Sequence, residues 1–364
     1  MKKTYINISM GKNRDIFEEP GKQTLLEPGP LLNSRGELCQ AGYATSLVKT
    51  YDRSRIRAGA MRIKEWDYYL IYNDRYGAAL TLDDNSYMGL ASISFLDFEK
   101  QTEYTSSPMT AFPMGKTGFP ASSAKGDVSL ERKNIRMSFR HEGEKRILEG
   151  EMDKFHRGLP IRVRFELTEE PEDSMVIATP FPEKKTAFYY NQKIIGMKAR
   201  GQAEFGGRIY EFRPEDSRGL LDWGRGVWTY HNTWYWSAAM GRAGEGEFGF
   251  NLGYGFGDTS AATENMLFYN GRAHKLGAVT FQIPGEEEGK PEFMKPWNVF
   301  SSDGRLKLTF TPALNRSACT SAVLILSDQH QIFGRFDGSA VLDNGTEIQV
   351  SHMMGFAEKV RNKW

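Results

Sequence analysis

Cysteine is almost missing from this 364-residue chain: Cys39 and Cys319 are the only two. Two cysteines so far apart make no disulfide framework, and with no Cys-x-x-Cys pair they outline no zinc site. Such sparse use fits a reducing, cytoplasmic setting. Charge of one sign is missing too. The net charge is +1, which gives no electrostatic reason to expect nucleic acid or an anionic membrane as partner. No apolar run approaches bilayer-spanning length, so no transmembrane segment is expected. The start, Met1-Lys2-Lys3-Thr4-Tyr5-Ile6-Asn7, is positively charged but lacks the apolar stretch of a secretory signal. Histidines His141, His156, His231, His274, His330 and His352 show no metal-ligand spacing. Neither a Gly-x-Ser-x-Gly elbow nor a His-Glu-x-x-His motif occurs, so no metal and no cofactor is expected.

Long amphipathic helices are a further absence: no long segment carries sustained i, i+3, i+4, i+7 apolar spacing. Strand patterns are abundant instead, as in Tyr68–Tyr72, Ala91–Leu96, Ile161–Leu167 and Leu306–Phe310. The last two alternate strictly, as strands with one buried and one wet face do. Gly206-Gly207, Asn270-Gly271, Asp303-Gly304 and Asn344-Gly345 separate the runs and supply the positive φ of tight hairpins. The chain reads as an all-β antiparallel meander with few short helices.

The meander repeats itself. Trp66-Asp67-Tyr68-Tyr69, then Gly77–Leu82, then Phe95–Phe98 are echoed by Trp234-Tyr235-Trp236, Gly249–Leu252 and Leu267–Tyr269. Ile135–Phe139 likewise matches Leu306–Phe310, and Ile147–Gly150 matches Gln331–Gly334. Each half is of the size at which a meander closes on itself, and roughly eight strands leave room for one small ligand. The expected organisation is an N-terminal extension (1–30), a first lipocalin-like β-barrel (31–180) and a second (181–364). Pro171, Pro180 and Pro182 mark the division, because proline interrupts strand pairing.

Aromatics are concentrated. Residues 222–236 read Asp-Trp-Gly-Arg-Gly-Val-Trp-Thr-Tyr-His-Asn-Thr-Trp-Tyr-Trp, and four of the seven tryptophans lie there. Such a mixture of rings and placed polar groups suits a ligand pocket, with a plain aromatic core as the alternative. Trp223, Arg225, Trp228, Tyr230, Trp234 and Trp236 are candidate ligand contacts. Asn251 and Asn265 join them from the matching strand and the loop beyond it. Asp222, His231 and Glu264 are the candidate catalytic groups: a carboxylate held near the pocket mouth by the Arg225 guanidinium, an imidazole that titrates near neutrality, and a carboxyl whose pKa burial in a dry site would raise. Asp222 and Arg225 fall on opposite faces of a strand unless Gly224 and Gly226 bend the chain. Gly253, Gly255 and Gly257 lack the spacing and context of a nucleotide loop.

The segment Leu221–Trp228 resembles a microbial family known as domain of unknown function 2804, which more often has Tyr at the place of Trp223. Gly249–Gly253, Thr263-Glu264-Asn265, Asn270-Gly271-Arg272, His274-Lys275-Leu276 and Leu31–Leu38 carry the same resemblance, which runs from about Leu31 to Trp364. That family brings no activity. More distantly the chain is similar to double-lipocalin proteins of the hydroxyneurosporene synthase and tocopherol cyclase kind, which carry an Asp-x-x-Trp-Gly segment near a ligand pocket. Here Asp222 directly precedes Trp223-Gly224, so that similarity implies architecture and not a catalytic residue.

Two functions remain open at this point. One is binding of a hydrophobic or amphipathic small molecule, lipid-like or isoprenoid, in an aromatic-lined β-barrel pocket. It could carry acid-catalysed hydratase, cyclase or isomerase chemistry, with aromatic faces steadying a developing cation. The other is a carbohydrate-binding or glycoside-processing protein with a Trp-rich cleft, using Asp222 and Glu264 as paired carboxyls. Whether the chain is an enzyme, and its oligomeric state, do not follow from the sequence.

Overall fold

Alternation of apolar and polar residues, punctuated by glycine hairpins, yields strands almost throughout. The computed structural model describes residues 23–322 and 325–363. Two short 3-10 turns, Arg53–Arg55 and Ala60–Arg62, are the helical elements among them. The Asn270-Gly271 pair joins Met266–Tyr269 to Arg272–Lys275 with φ of 48° and 79°, both in the left-handed region a tight hairpin requires.

Two large antiparallel sheets follow one plan. In the first, Thr102–Ser106, Met88–Asp97, Tyr76–Asp84 and Lys64–Tyr72 lie side by side, followed by Arg218–Val227, Phe188–Phe205, Leu159–Thr168, Lys145–His156, Ile135–Glu142 and Val128–Arg132. In the second, Arg272–Lys275, Met266–Tyr269, Gly246–Tyr254 and His231–Ala243 are followed by Glu347–Lys363, Ile325–Val341, Leu306–Ala322, Trp297–Ser301 and Val279–Gln282. In each half the last strand returns to pair with the first long one. Each sheet curls until distant strands meet, Tyr104 against His156 and Phe205 in one, Tyr254 against Phe281 in the other. The fold is two lipocalin-like antiparallel barrels.

The expected division after residue 180 falls inside the first sheet. Met175–Pro180 pairs with Phe188–Lys193, and Arg218–Val227 pairs with Lys64–Tyr72. Residues 181–227 therefore belong to the first sheet, and the second opens at His231. The prolines do not end a barrel, because Pro180 closes a short strand and the chain turns back to place Phe188 opposite it in the same sheet. Of the expected extension, Gln23 bonds Leu276 and Thr263, tying the start of the described chain to the second barrel.

Alternation along each strand feeds two different cores. Tyr69, Ile71, Leu80, Ile93 and Trp223 point into the first barrel, whose interior is packed side chains. Phe250, Leu267, Trp297, Phe310 and Phe336 fill the second. Tyr68, Leu70 and Tyr72, one residue out of phase, meet Trp236, Met240, Met354 and Phe356 in a third apolar cluster between the barrels.

Candidate functional site

That third layer opens into a cavity of about 520 Å³. Its floor is the outer face of the first barrel. Lys193, Asp222, Tyr68, Thr81 and Ser92 form one row in register across five adjacent strands. Its roof is the outer face of the second barrel, where Trp236, Glu358, Gln331 and Arg316 form a row across four strands. Tyr68 reaches from floor to roof, its ring 6.1 Å from Trp236 and its hydroxyl 3.4 Å from Gln331. Arg316 donates to Ser94 on the first barrel.

One end of the cavity is aromatic. Phe256 sits at the centre of edge-on contacts with Tyr189, Trp228 and Trp234, and Trp66 lies between Tyr189 and Trp228. Glycine makes this packing possible. A Cβ on Gly224 would sit 1.9 Å from the Trp66 ring, so the ring lies flat across the strand opposite it. Gly253 similarly makes room for Glu264, whose carboxylate a Cβ would touch at 2.4 Å. These glycines admit side chains and do not bend the chain, which runs unbroken through Gly224 from Arg218 to Val227 and through Gly253 from Gly246 to Tyr254.

Charge is concentrated on the floor. Lys193 is buried and bonds Asn191 (2.8 Å), Tyr189 (3.1 Å) and Glu264 (3.1 Å), with Asp222 at 3.6 Å and the Trp236 ring centroid at 4.8 Å. Burial disfavours its charged form, but Asp222 and Glu264 more than offset this and hold its pKa well above the ordinary lysine range. Asp222 also accepts from Trp66 and Asn191.

The roof repeats this pattern with one change. Trp66 and Trp234 occupy matching strands; Trp66 donates to Asp222 at 3.1 Å and Trp234 donates to Glu358 at 3.0 Å. Asp222 and Glu358 lie on the two returning strands. The residue beside Asp222 on the next strand is Lys193; beside Glu358 it is Gln331, which donates to it at 3.0 Å. Burial, unanswered by an adjacent ammonium, pushes the Glu358 carboxyl up to about 7.

The sequence candidates separate into three groups. Asp222, Glu264, Trp228, Trp234 and Trp236 line the cavity. Asn251 stands behind it, accepting from Trp236 and donating to Glu264. The others lie elsewhere. Trp223 is inside the first barrel against Tyr51 and Tyr190, and Arg225 beside it pairs with Asp67 at 3.0 Å. Asn265 is buried against Gly253 and Gly277 in the second barrel. Tyr230 and His231 are exposed and meet edge-on at the crossing between barrels. Lys193, Glu358, Tyr189, Gln331 and Arg316 were missed. A signal for one of them was present, Lys193 as the single charge inside the run Phe188–Ile195; Glu358 stands next to Lys359 in Gly355–Val360 and is not marked in that way. Among the described residues no His, Cys, Asp and Glu group could hold a metal ion, and no helix is long and apolar enough to cross a membrane. A groove over Arg136, Glu149, Glu151 and Arg162 is open and crossed by surface ion pairs, so it offers no comparable chemistry.

Residues 22–364 match the family model described as domain of unknown function (DUF2804). The chain belongs to that family. No curated protein matches the sequence. Among solved structures, a Nitrosomonas europaea protein assigned the name AttH is similar with a TM-score of 0.53 at 11% identity, covering 86% of this chain and 98% of its own. Kievitone hydratase from Nectria haematococca gives 0.49 at 10% identity, over 93% of this chain and 98% of its own. CghA gives 0.42 at 8% identity, over 93% and 97%. At such identities the likeness shows the fold alone, and the AttH structure carries it.

Proposed function

We propose that the cavity between the barrels binds an amphipathic small molecule and that Glu358 and Asp222 move protons on it. The carrying observation is the pair of carboxylates in matching places, one beside Lys193 and the other beside Gln331, facing a cavity walled by tryptophan. An apolar wall with a few convergent polar groups is the ordinary form of a small-molecule site. Glu358, with its pKa near the working pH, suits a proton donor. Asp222, ion-paired to Lys193, suits the acceptor. Glu358 gives its proton to one ligand atom and Asp222 takes one from another, so the ligand is rearranged without oxidant or metal. A buried acid facing a carboxylate held by an ammonium is an ordinary arrangement for an acid and base pair. Flat aromatic faces favour positive charge developing in between.

The glycoside-hydrolysing alternative has less support. Asp222 and Glu264 hold the same ammonium, which leaves neither well placed to protonate a leaving group. His231 has no part in the proposal, since it stands exposed outside the cavity. The test is native mass spectrometry of protein purified from its own host. A retained small-molecule mass, displaced in Trp228→Ala, is expected. With that ligand in deuterated water, wild type should exchange a ligand C–H and Glu358→Gln should not. A protein that retains nothing, or a Glu358→Gln variant that exchanges normally, refutes the reading.

A further inference from the structure

The polar wall of the cavity says what kind of ligand fits. On the strands Tyr76–Asp84 and Met88–Asp97, Leu80, Ala91, Ile93 and Phe95 face the first barrel's core. The residues between them, Thr81, Ser92 and Ser94, face the cavity, and Thr105 and Ser107 extend the set. Their hydroxyls are paired, Ser92 with Ser107 at 2.8 Å and Thr105 with Ser94 at 2.9 Å. Each hydroxyl keeps capacity to donate or accept further.

Other polar atoms at the cavity have no partner among the described residues. Asn362, 1% exposed, lacks one for both its amide nitrogen and its oxygen. The Trp228 indole N–H lacks an acceptor, and one oxygen of Asp83 lacks a donor. Buried polar atoms left so are costly; each is closed off from the open cavity, and a rotation of its side chain would bring it to a ligand that offers donors and acceptors. Formal charge points the same way. Even with the buried acids Asp83 and Glu358 protonated, the lining holds Glu103, Asp222 and Glu264 against Lys193 and Arg316. An anionic head group there would meet net like charge at low dielectric.

We propose that the ligand is an uncharged amphiphile with a flat apolar part stacked at Trp66, Trp228 and Phe256 and a part bearing several hydroxyls against the Ser/Thr face and Asn362, as in an aryl or terpenyl glycoside. This rests on the cavity being the binding site, as proposed above. It excludes fatty acids and phosphorylated lipids as preferred ligands.

Three coumarins of one shape test it by calorimetry on the full chain. They are 7-methoxy-4-methylcoumarin, without hydroxyls; 4-methylumbelliferyl β-glucoside, neutral and hydroxylated; and 4-methylumbelliferyl β-glucuronide, anionic. The glucoside is expected to bind about ten-fold tighter than either, the gain of two or three net hydrogen bonds. Ser92→Ala with Ser107→Ala removes a mutual pair and leaves neither orphaned. Asn362→Leu removes two unsatisfied groups. Both variants should lose the glucoside's advantage and keep methoxycoumarin affinity, and Asn362→Leu should unfold no more readily than wild type. The assignment is overturned if the glucuronide binds as tightly as the glucoside, if methoxycoumarin does, or if the advantage survives both variants. If no probe binds wild type, the cavity is not a site for such amphiphiles and the reading beneath this one falls with it.

Discussion

Asp222 and Trp223 are neighbours in sequence and strangers in the fold, and the difference is one step of strand alternation. Asp222 and Trp228 line the cavity and Gly224 lies under the Trp66 ring, while Trp223 and Arg225 face the first barrel's core. The sequence marked the segment 222–236 as a unit because rings and charges are dense there. The alternation that splits it into two faces is itself written in the sequence, and reading phase before composition would have placed Trp223 and Arg225 inside. Gly224 tests the packing. Gly224→Ala should destabilise by about 1–3 kcal/mol, since its Cβ meets the Trp66 indole and the paired strands cannot part. Urea unfolding reads this, and unchanged stability would mean that Trp66 moves freely.

Glu358 makes the pH prediction. Burial raises its carboxyl from 4.5 to about 7 in the folded protein. Between these values the folded state keeps a proton that the unfolded chain has released. Stability therefore falls as pH rises through that window, by about 3 kcal/mol at most, and the loss is complete above 7. Glu358→Gln has no such proton to lose. Relative to wild type the variant should gain stability between pH 4 and pH 8. Asp83 is also raised to about 7 by burial, but it is present in both proteins and cancels in the comparison. Paired urea melts across this range decide it, and a gap independent of pH would refute the buried acid.

Among elements, the long strands matter most. Phe188–Phe205 carries Lys193 outward and Tyr190 and Ile194 inward, serving both cores at once. Lys193 is the cation that lets Asp222 and Glu264 share the floor. Lys193→Met should cost about 3–5 kcal/mol, the usual penalty when one member of a buried ionic group is removed. Adding Asp222→Asn should recover part of it, because the amide needs no counter-charge and still accepts from Trp66. Additive losses in chemical denaturation would argue that the three groups are not coupled. Strand identity was legible at this scale: each of the four runs singled out from alternation lies within a strand, and the four glycine-bearing turns connect strands. The pairing of later repeats was not. Sheet order sets Leu159–Thr168 against Leu306–Ala322, counting back from the returning strands, and not Ile135–Glu142. Alternating strands look alike, and which neighbour each one pairs with depends on long-range contacts that a local pattern does not encode.

For the whole molecule, the two barrels are halves of one cooperative unit. Domains that fold alone meet through modest, polar surfaces. Here Tyr68, Leu70 and Tyr72 from one barrel share an apolar cluster with Trp236, Met240 and Phe356 from the other. The Tyr72 hydroxyl sits in it, donating to Met354 and accepting from the Met240 backbone. Gln23, from the start of the described chain, bonds the second barrel, and only residues 228–230 separate the last strand of the first sheet from the first of the second. Neither barrel can lose its partner without exposing this layer to water. Calorimetry should therefore show a single transition with equal calorimetric and van't Hoff enthalpies. Tyr72→Phe leaves the Met240 N–H and Met354 carbonyl without that partner in a dry layer, at a cost of about 1–3 kcal/mol. It should lower that one transition and not divide it. Two resolved transitions, with only one moved by the substitution, would show that the barrels fold separately and that the cavity between them is a docked interface.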